Sequence, residues 1–261
     1  MNQHLEAPPS TSLSETALFF DVDGTLVALE EKPEAVVVSK SLRMLLKRLI
    51  IATDGALALV SGRSIGQLDS LFKPLEFSAS GVHGLERRLL PGRSHRIIEA
   101  TDALDDARAE LDAFTKAHPG TLFEDKGLTL ALHYRMAAEH REKAASLVRK
   151  LVSADPEKLV LLEGKMVFEL KPPGFDKGRA IADFMKEPPF RGRSPIFAGD
   201  DVTDEAGFRT INQMNGVAIK VGIDDRTTEA TFGLDNVEAM LRWLEGLVDD
   251  NTSKRDAGEG Q

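Results

Sequence analysis

The sequence predicts an α/β fold in which a parallel β-sheet carries helices on both faces and is interrupted by a smaller α+β unit. Short, wholly apolar segments alternate with segments whose apolar residues recur at helical spacing, a pattern typical of strand–helix–strand units. In the middle of the chain this alternation gives way to a helix–hairpin–helix–hairpin pattern. The change indicates an insertion into the parallel core.

The first half of the predicted core contains three strands and a helix. Residues 17–20 form an apolar run that ends at a turn, which is the pattern of a buried strand. Leucines at helical spacing predict a helix over 39–51, and further strands follow at 56–60 and 77–80. The second half adds two strands and a last helix, at 195–198, 216–221 and 236–248.

The insert has its own pattern. Helices are predicted at 103–118 and 138–152, and each precedes a hairpin, at 121–135 and 159–170. Lys-Pro-Pro-Gly at 171–174 then breaks the pattern, as a linker does.

We therefore expect a core, an inserted unit and two polar tails. The tails lack periodicity and are predicted to be disordered. The predicted bounds are 16–104 and 173–248 for the core, 105–172 for the insert, and 1–15 and 249–261 for the tails.

Composition excludes several classes of protein. A net charge of -9 argues against nucleic acid and anionic membranes as partners. No apolar run is long enough to span a membrane, and the N-terminal residues lack the pattern of a signal peptide. The chain contains no cysteine, which excludes disulfides and thiolate metal sites and fits a cytoplasmic location.

Polar residues follow three of the predicted strands directly. Asp21 and Asp23 end the first strand, Ser61-Gly62-Arg63 ends the second, and a later strand is followed by Asp200, Asp201 and Asp204. Parallel strands bring their carboxyl ends to one edge of the sheet, so these groups can converge there. Carboxylates so close together repel unless a cation or a shared proton intervenes, which favours a hard metal ion.

The order of these segments resembles the haloacid dehalogenase (HAD) superfamily of phosphotransferases. Its four motifs match DVDGT, SGR, the lysine of DKG and GDDVTDE, and the insert resembles the type IIB cap of a Rossmann-like HAD core. The segments GVHGLE, EDKGLTLALHYR and GKMVFELKPPGFDKG are similar to those of trehalose-6-phosphate phosphatases. The resemblance covers about residues 17 to 245.

This resemblance implies roles for four residues of the core. Asp21 is the nucleophile, since a carboxylate can accept a phosphoryl group, and Asp23 is the general acid and base. Ser61 donates a hydrogen bond to the phosphate, and Lys177 neutralises the phosphate and the Asp21 carboxylate.

The resemblance also implies a Mg²⁺ ion. Asp21, the backbone carbonyl of Asp23, and Asp200 are its expected ligands, because magnesium prefers oxygen atoms. Either Asp204 or Asp201 is expected to orient the waters of the ion from outside the ligand set.

Sugar recognition is implied for residues of the insert. Glu124, Lys126 and Glu169 match the family's sugar-binding residues, although charges on hairpins are usually only solvated. Weaker candidates for substrate binding are Arg63, His83, His133, Arg135 and Lys165.

The function implied is magnesium-dependent hydrolysis of trehalose 6-phosphate in trehalose biosynthesis, through an aspartyl phosphate. Two alternatives stay open from the sequence: a phosphatase for another sugar phosphate, such as sucrose phosphate, and an inactive HAD domain kept for binding or regulation. The expected partner is a small sugar phosphate, with a functional link to a trehalose-6-phosphate synthase.

Overall fold

The computed structural model describes residues 5–30, 35–90, 93–96, 102–164, 166–224 and 226–258. The chain divides into two compact units. The core unit comprises residues 1–95, 176–200 and 204–261, and the cap unit comprises residues 96–175 and 201–203.

The core unit contains an eight-stranded sheet. Numbered along the chain, its strands are β1 (Thr16–Phe20), β2 (Leu57–Val60), β3 (Ser78–Gly81), β4 (Glu86–Leu89), β5 (Arg93–Arg96), β10 (Ser194–Gly199), β11 (Val217–Val221) and β12 (Phe232–Leu234). The order across the sheet is β12-β11-β10-β1-β2-β3-β4-β5. The six strands from β12 to β3 are mutually parallel, and β4 runs antiparallel to β3.

Helices cover the core sheet, as the alternation of strands and helices predicts. They are α1 (Lys40–Ala52), α2 (Ile65–Phe72), α5 (Lys177–Phe184), α6 (Glu205–Gln213) and α7 (Val237–Gly258). Leu18 and Phe20 of β1 pack into one buried cluster with residues of α1 and α7, whereas Ala17 and Phe19 pack into a second cluster with residues of α5 and α6. Both faces of β1 are therefore buried, which explains why its sequence is apolar throughout.

The strand order places a switch point beside β1. The chain adds β2 and β3 on one side of β1, then returns to add β10 and β11 on the other. In open α/β sheets such a point leaves a crevice beyond the carboxyl ends of the strands, where ligands bind. The carboxyl ends of β1 and β10 are thus the expected place for a site.

The cap unit is a four-stranded antiparallel sheet with two helices. Its strands are β6 (Leu122–Asp125), β7 (Leu130–His133), β8 (Val160–Gly164) and β9 (Val167–Lys171), in the order β6-β7-β9-β8. Its helices are α3 (Asp102–Ala117) and α4 (Arg141–Ala154). Leucines of the helices and of β7 and β9 form a separate hydrophobic core.

The predicted fold class is confirmed, but the boundaries differ. The units divide at 95/96 and 175/176, whereas the sequence placed the divisions at 104/105 and 172/173. The strands β4 and β5 extend the core sheet after β3, and their polar sequences gave no apolar run from which to predict them.

Both predicted tails need correction within the described residues. Near the amino end, Leu13 is fully buried and begins a short 3-10 turn that leads into β1. At the carboxyl end, α7 continues through Gly258 rather than ending at 248. Once a helix has formed, each further residue adds a backbone hydrogen bond, so a helix can extend beyond the last residue of its apolar face.

No helix in the described part of the chain is long and apolar enough to cross a bilayer.

We expect Gly178→Ala to lower the free energy of unfolding by about 1–3 kcal/mol, because of overpacking. A Cβ at this position of α5 would lie 2.3 Å from the carbonyl oxygen of Ala206 in α6, so the two helices would have to separate. Urea denaturation monitored by circular dichroism measures the change.

Gly246→Ala in α7 is the matched control. Nothing lies within 4 Å of a Cβ built there, so the change should raise stability by up to about 1 kcal/mol through helix propensity alone. Equal effects of the two substitutions would contradict the close packing of α5 on α6.

Candidate active site

A buried lysine joins two carboxylates at the carboxyl edge of the core sheet. The ammonium of Lys177 lies 2.8 Å from Oδ1 of Asp21 and 2.6 Å from Oδ1 of Asp204. Lys177 and Asp204 are 2% and 0% exposed, and Asp21 is 5% exposed. The structure therefore brings together three of the residues that the sequence selected.

Asp21 is held where β1 ends. Its N–H donates to the carbonyl of Ala198 in β10 at 2.9 Å, which continues the parallel pairing by one residue. The chain then turns sharply, and the carbonyl of Val22 accepts hydrogen bonds from the N–H groups of residues 25, 26 and 27. Gly24 occupies this turn with a φ of +85°, and a Cβ there would lie 2.2 Å from Oδ2 of Asp200. The glycine of the DVDGT motif thus leaves space for the carboxylate of Asp200.

Asp200 and Asp204 are linked to each other. The N–H of Asp200, directly after β10, donates to Oδ2 of Asp204 at 3.0 Å. Asp204 lies at the end of a 3-10 turn that leads into α6, and a Cβ on Gly199 would lie 2.3 Å from its Cγ. Asp204 therefore binds Lys177 with one oxygen and the backbone of Asp200 with the other.

Lys177 is the first residue of α5. The Asp176 side chain caps this helix by accepting a hydrogen bond from the N–H of Arg179 at 2.8 Å. This hydrogen bond to the Asp176 side chain fixes the start of α5. It thereby also fixes the backbone position from which the Lys177 side chain reaches Asp21 and Asp204.

The electrostatics of this group favour an additional cation. Burial has the largest effect on Asp21 and raises its pKa. Lys177 lowers the pKa and the charges of Asp204 and Asp200 raise it, and the net result lies well above the usual value. For Lys177, burial acts to lower the pKa, but attraction to Asp204 and Asp21 outweighs it and the pKa rises. One ammonium therefore does not balance the three carboxylates.

The carboxylates of Asp21, Asp200 and Asp204 are close enough to share a metal ion. Oxygen atoms of the three lie within 4.8 Å of one another. Carboxylate oxygens are the ligands that hard divalent cations prefer, and the excess of negative charge gives such a cation a reason to bind. Asp21 and Asp200 therefore fit the metal site that the sequence predicts, and Asp204, which was expected outside the ligand set, lies close enough to join them.

The two candidates for the outer metal contact, Asp204 and Asp201, have different surroundings. Asp204 belongs to the carboxylate group, whereas Oδ1 of Asp201 accepts a hydrogen bond from the N–H of Val202 at 2.8 Å. The sequence left this choice open because the spacing alone does not show where the turn after β10 points each side chain.

Asp23 forms a two-point ion pair with Arg63. The guanidinium Nε and Nη2 donate to the two carboxylate oxygens at 2.6 and 2.7 Å. The sequence assigned Arg63 to substrate binding, but here it contacts the carboxylate expected to serve as acid and base. Each oxygen of Asp23 accepts one hydrogen bond from Arg63, so a second lone pair on each oxygen is left for a proton.

A strained turn supports the loop that contains Ser61. Val82 and His83 have φ angles of 49° and 52°, in the left-handed region that a β-branched residue rarely occupies. Their N–H groups donate to the carbonyls of Arg63 and Ser61 at 2.9 and 3.1 Å. A Cβ on Gly62 would lie 2.5 Å from Nε2 of His83, so the buried imidazole packs against the Ser61 loop.

The cap unit contains its own cluster of predicted residues. Nζ of Lys126 lies 3.2 Å from Oε2 of Glu169, and both side chains are largely buried. Oε2 of Glu124 lies 3.0 Å from Nε2 of His133 on the neighbouring strand. Arg135 lies in the turn after β7, and Lys165 falls outside the described residues.

Sequence reasoning missed an ionic cluster beside Asp200. Lys220, buried at the end of β11, lies 2.8 Å from Oδ1 of Asp224, and Arg226 donates to Asp224 and, at 3.4 Å, to the carbonyl of Asp200. Burial acts to raise the pKa of Asp224, but hydrogen bonds from Arg226 and Lys220 outweigh it and the pKa falls well below its usual value. In the sequence, the one signal of this cluster is Lys220, a charged residue inside the otherwise apolar strand β11.

The fold and this site match those that the resemblance to HAD phosphatases implies. The central strand ends in Asp-x-Asp, and a buried lysine and a second acidic segment meet that strand at one edge. The chain belongs to the trehalose-phosphatase family, whose model matches residues 19–238. This confirms the resemblance inferred from the motifs.

Individual relatives match along nearly the whole chain. A trehalose-6-phosphate phosphatase of Escherichia coli K12 is 41% identical over 257 residues, which cover 98% of this chain and 95% of the relative. A probable trehalose-phosphate phosphatase of Sinorhizobium fredii is 44% identical over 240 residues, covering 92% and 90%. The C-terminal domain of the C. albicans trehalose-6-phosphate phosphatase shares the fold, with a TM-score of 0.84 at 21% identity over 95% of this chain and 99% of that domain.

We expect Lys177→Met to lower the free energy of unfolding by about 3–5 kcal/mol, since it leaves buried carboxylates without their counter-charge. Urea denaturation should be measured with a chelator present, because a divalent cation can replace the missing charge. Lys116→Met is the control, since Lys116 is exposed and forms only a surface ion pair with Asp112. Equal losses in both variants would contradict the central role of the buried lysine.

Proposed function

We propose that this protein hydrolyses trehalose 6-phosphate to trehalose and phosphate through an aspartyl phosphate on Asp21. Membership of the trehalose-phosphatase family supports the substrate. The observation that best supports this reaction is the buried group of Asp21, Lys177 and Asp204 at the switch point of the sheet. The half-buried Asp200 lies beside this group.

In the first step a carboxylate oxygen of Asp21 attacks the phosphorus atom, and the bond from phosphorus to the sugar oxygen breaks. Lys177, 2.8 Å from Asp21, lies where its charge can also attract the phosphate oxygens. The Ser61 hydroxyl, at the carboxyl end of β2, is suited to donate to the same phosphate.

We assign the metal ion to Mg²⁺, held by Asp21, the backbone carbonyl of Asp23, and Asp200, with Asp204 outside the ligand set. The all-oxygen donor set supports this choice. When bound, the ion neutralises charge on the transferring phosphoryl group.

Asp23 acts as the acid and base of both steps. It gives a proton to the departing sugar oxygen, then takes one from the water that attacks the aspartyl phosphate. The attack releases phosphate and restores the Asp21 carboxylate. Arg63 orients the Asp23 carboxylate in this cycle and is a further candidate for substrate contacts.

The cap unit supplies sugar recognition in this proposal. Glu124, Lys126 and Glu169 are clustered in paired side chains, and carboxylates and ammonium groups bind hydroxyls well. His83, Arg135 and Lys165 are further candidates for substrate contacts. Energy from sugar binding helps to position the phosphate for attack.

The alternatives are less well supported. Family membership does not favour a phosphatase for sucrose phosphate, and an inactive domain does not account for an intact Asp21, Lys177 and Asp200. A cytoplasmic location and a functional link to a trehalose-6-phosphate synthase, which would supply the substrate, remain predictions.

Phosphate release from a panel of sugar phosphates, with and without Mg²⁺, tests this function. We expect trehalose 6-phosphate to be the best substrate by kcat/KM and turnover to depend on Mg²⁺. Asp21→Asn should reduce turnover by at least about a thousandfold, since it removes the nucleophile. Asp112→Asn, an exposed change in α3, should have no effect.

Two outcomes would overturn the proposal. A higher kcat/KM for sucrose phosphate would replace the substrate, and near-normal turnover of Asp21→Asn would remove the nucleophile.

Binding of Mg²⁺ can also be measured without turnover. At a concentration of about 100 times Kd, Mg²⁺ should stabilise the folded protein by about 2.7 kcal/mol, which raises Tm by about 5–10 °C. Asp200→Asn should lose most of this shift, whereas Asp112→Asn should retain it. Equal shifts in Asp200→Asn and the unaltered protein would contradict the assignment of Asp200 as a ligand.

A further inference from the structure

We propose that Thr129 is a positioning residue for sugar recognition. Its hydroxyl fixes the carboxylate of Glu169 in the orientation in which Glu169 and Lys126 bind sugar hydroxyls. This inference rests on the proposed function, since it deepens the role of the cap unit in that reaction.

The contact between Thr129 and Glu169 is short and buried. Oγ1 of Thr129 donates to Oε1 of Glu169 at 2.5 Å, with Thr129 0% and Glu169 4% exposed. Glu169 lies in β9, where it pairs with Ala131 of β7, and Thr129 directly precedes β7. The hydroxyl therefore reaches the carboxylate from an adjacent strand, on a rigid antiparallel sheet.

Thr129 also contacts the other member of the pair through its backbone. Its carbonyl accepts a hydrogen bond from the N–H of Lys126 at 3.0 Å, and the Lys126 ammonium lies 3.2 Å from the second oxygen of Glu169. One residue thus fixes both the carboxylate and the start of the lysine side chain.

The turn that contains Lys126 is held from outside as well. Oδ1 of Asp125 accepts the N–H of Gly127 at 2.7 Å, and Gly127 has a φ of +79°. Arg108 of α3 donates to Oδ2 of Asp125 at 2.6 Å and to the carbonyl of Gly127 at 3.2 Å. These bonds hold the turn from which the Lys126 side chain starts, and the hydrogen bond from Thr129 acts on the partner carboxylate of Glu169.

A purely structural role explains this group poorly. Burying a carboxylate costs free energy that an apolar side chain at the same place does not, and apolar replacement of buried ion pairs is often stabilising. Glu169 is nevertheless buried, on the face of the cap sheet opposite to the side chains of Phe168 and Leu170, which form part of the hydrophobic core. A carboxylate kept under those conditions and oriented by a hydroxyl is suited to ligand recognition, where orientation sets specificity.

The test compares Thr129→Val with Thr129→Ser. Valine matches the shape of threonine but lacks the hydroxyl, whereas serine retains it. For trehalose 6-phosphate, we expect Thr129→Val to lower kcat/KM by about tenfold or more, mainly through KM, because a hydrogen bond to a charged group is lost. Thr129→Ser should retain most of the activity, and hydrolysis of p-nitrophenyl phosphate, which has no sugar, should change less than twofold in both.

Thr121→Val is the matched control. Its hydroxyl belongs to the same unit but donates only to the carbonyl of His118, at 2.7 Å, so its loss should leave the kinetics on both substrates unchanged. Thermal unfolding checks that each variant is folded. Thr129→Ala, which also lacks the hydroxyl, replaces Thr129→Val if the latter does not fold.

The outcomes separate this proposal from the proposed function. If the unaltered protein hydrolyses trehalose 6-phosphate and the variant without the hydroxyl does so equally well, the role of Thr129 is overturned and the function stands. Equal losses on both substrates also overturn it, since they indicate general damage. If the unaltered protein releases no phosphate from trehalose 6-phosphate, both proposals fall.

Discussion

The arrangement of carboxylates at the carboxyl edge of the core sheet depends on one buried ammonium group. Lys177 lies between Asp21 and Asp204, in a place where either carboxylate alone would be costly to bury. Three distant parts of the chain meet at this point: the end of β1, the start of α5 and the turn before α6. Because Asp204 also binds the backbone of Asp200, the lysine indirectly fixes the segment that follows β10.

The rest of the site is arranged around this charge. Glycines at positions 24 and 199 allow the carboxylates to approach the backbone, where any side chain would collide with Asp200 or Asp204. On the other side of β1, Arg63 holds Asp23 with two hydrogen bonds, which separates the second carboxylate of the motif from the first. The two aspartates, only two residues apart, therefore have different counter-ions, and different chemistry follows from this separation.

Much of this arrangement could be predicted from the sequence, because apolar strands that end in carboxylates constrain both the sheet and its active edge. Asp21 and Asp200 are of this kind, whereas Lys177, the first residue of α5, was identified from the order of the motifs. The choice between Asp201 and Asp204 depends on the direction of a short turn, which the spacing of residues does not contain. The pair of Arg63 with Asp23 and the cluster around Lys220 depend on long side chains whose contacts are set by tertiary packing. The polar strand β4 and the polar end of α7 lacked the apolar periodicity on which the prediction relied.

The central pairing of the core sheet also affects how the chain folds. The strand β1 pairs with β10, so that Thr16 faces Ser194, and all the helices and strands of the cap unit lie between them in the sequence. During synthesis, the edge of β1 that pairs with β10 therefore stays unpaired until β10 has been made. An unpaired edge of an apolar strand favours aggregation. Helices and antiparallel hairpins close in sequence form the cap unit, so it can fold during this interval and shorten the loop that β1 and β10 must close. The inserted unit would thereby assist the assembly of the sheet that it interrupts.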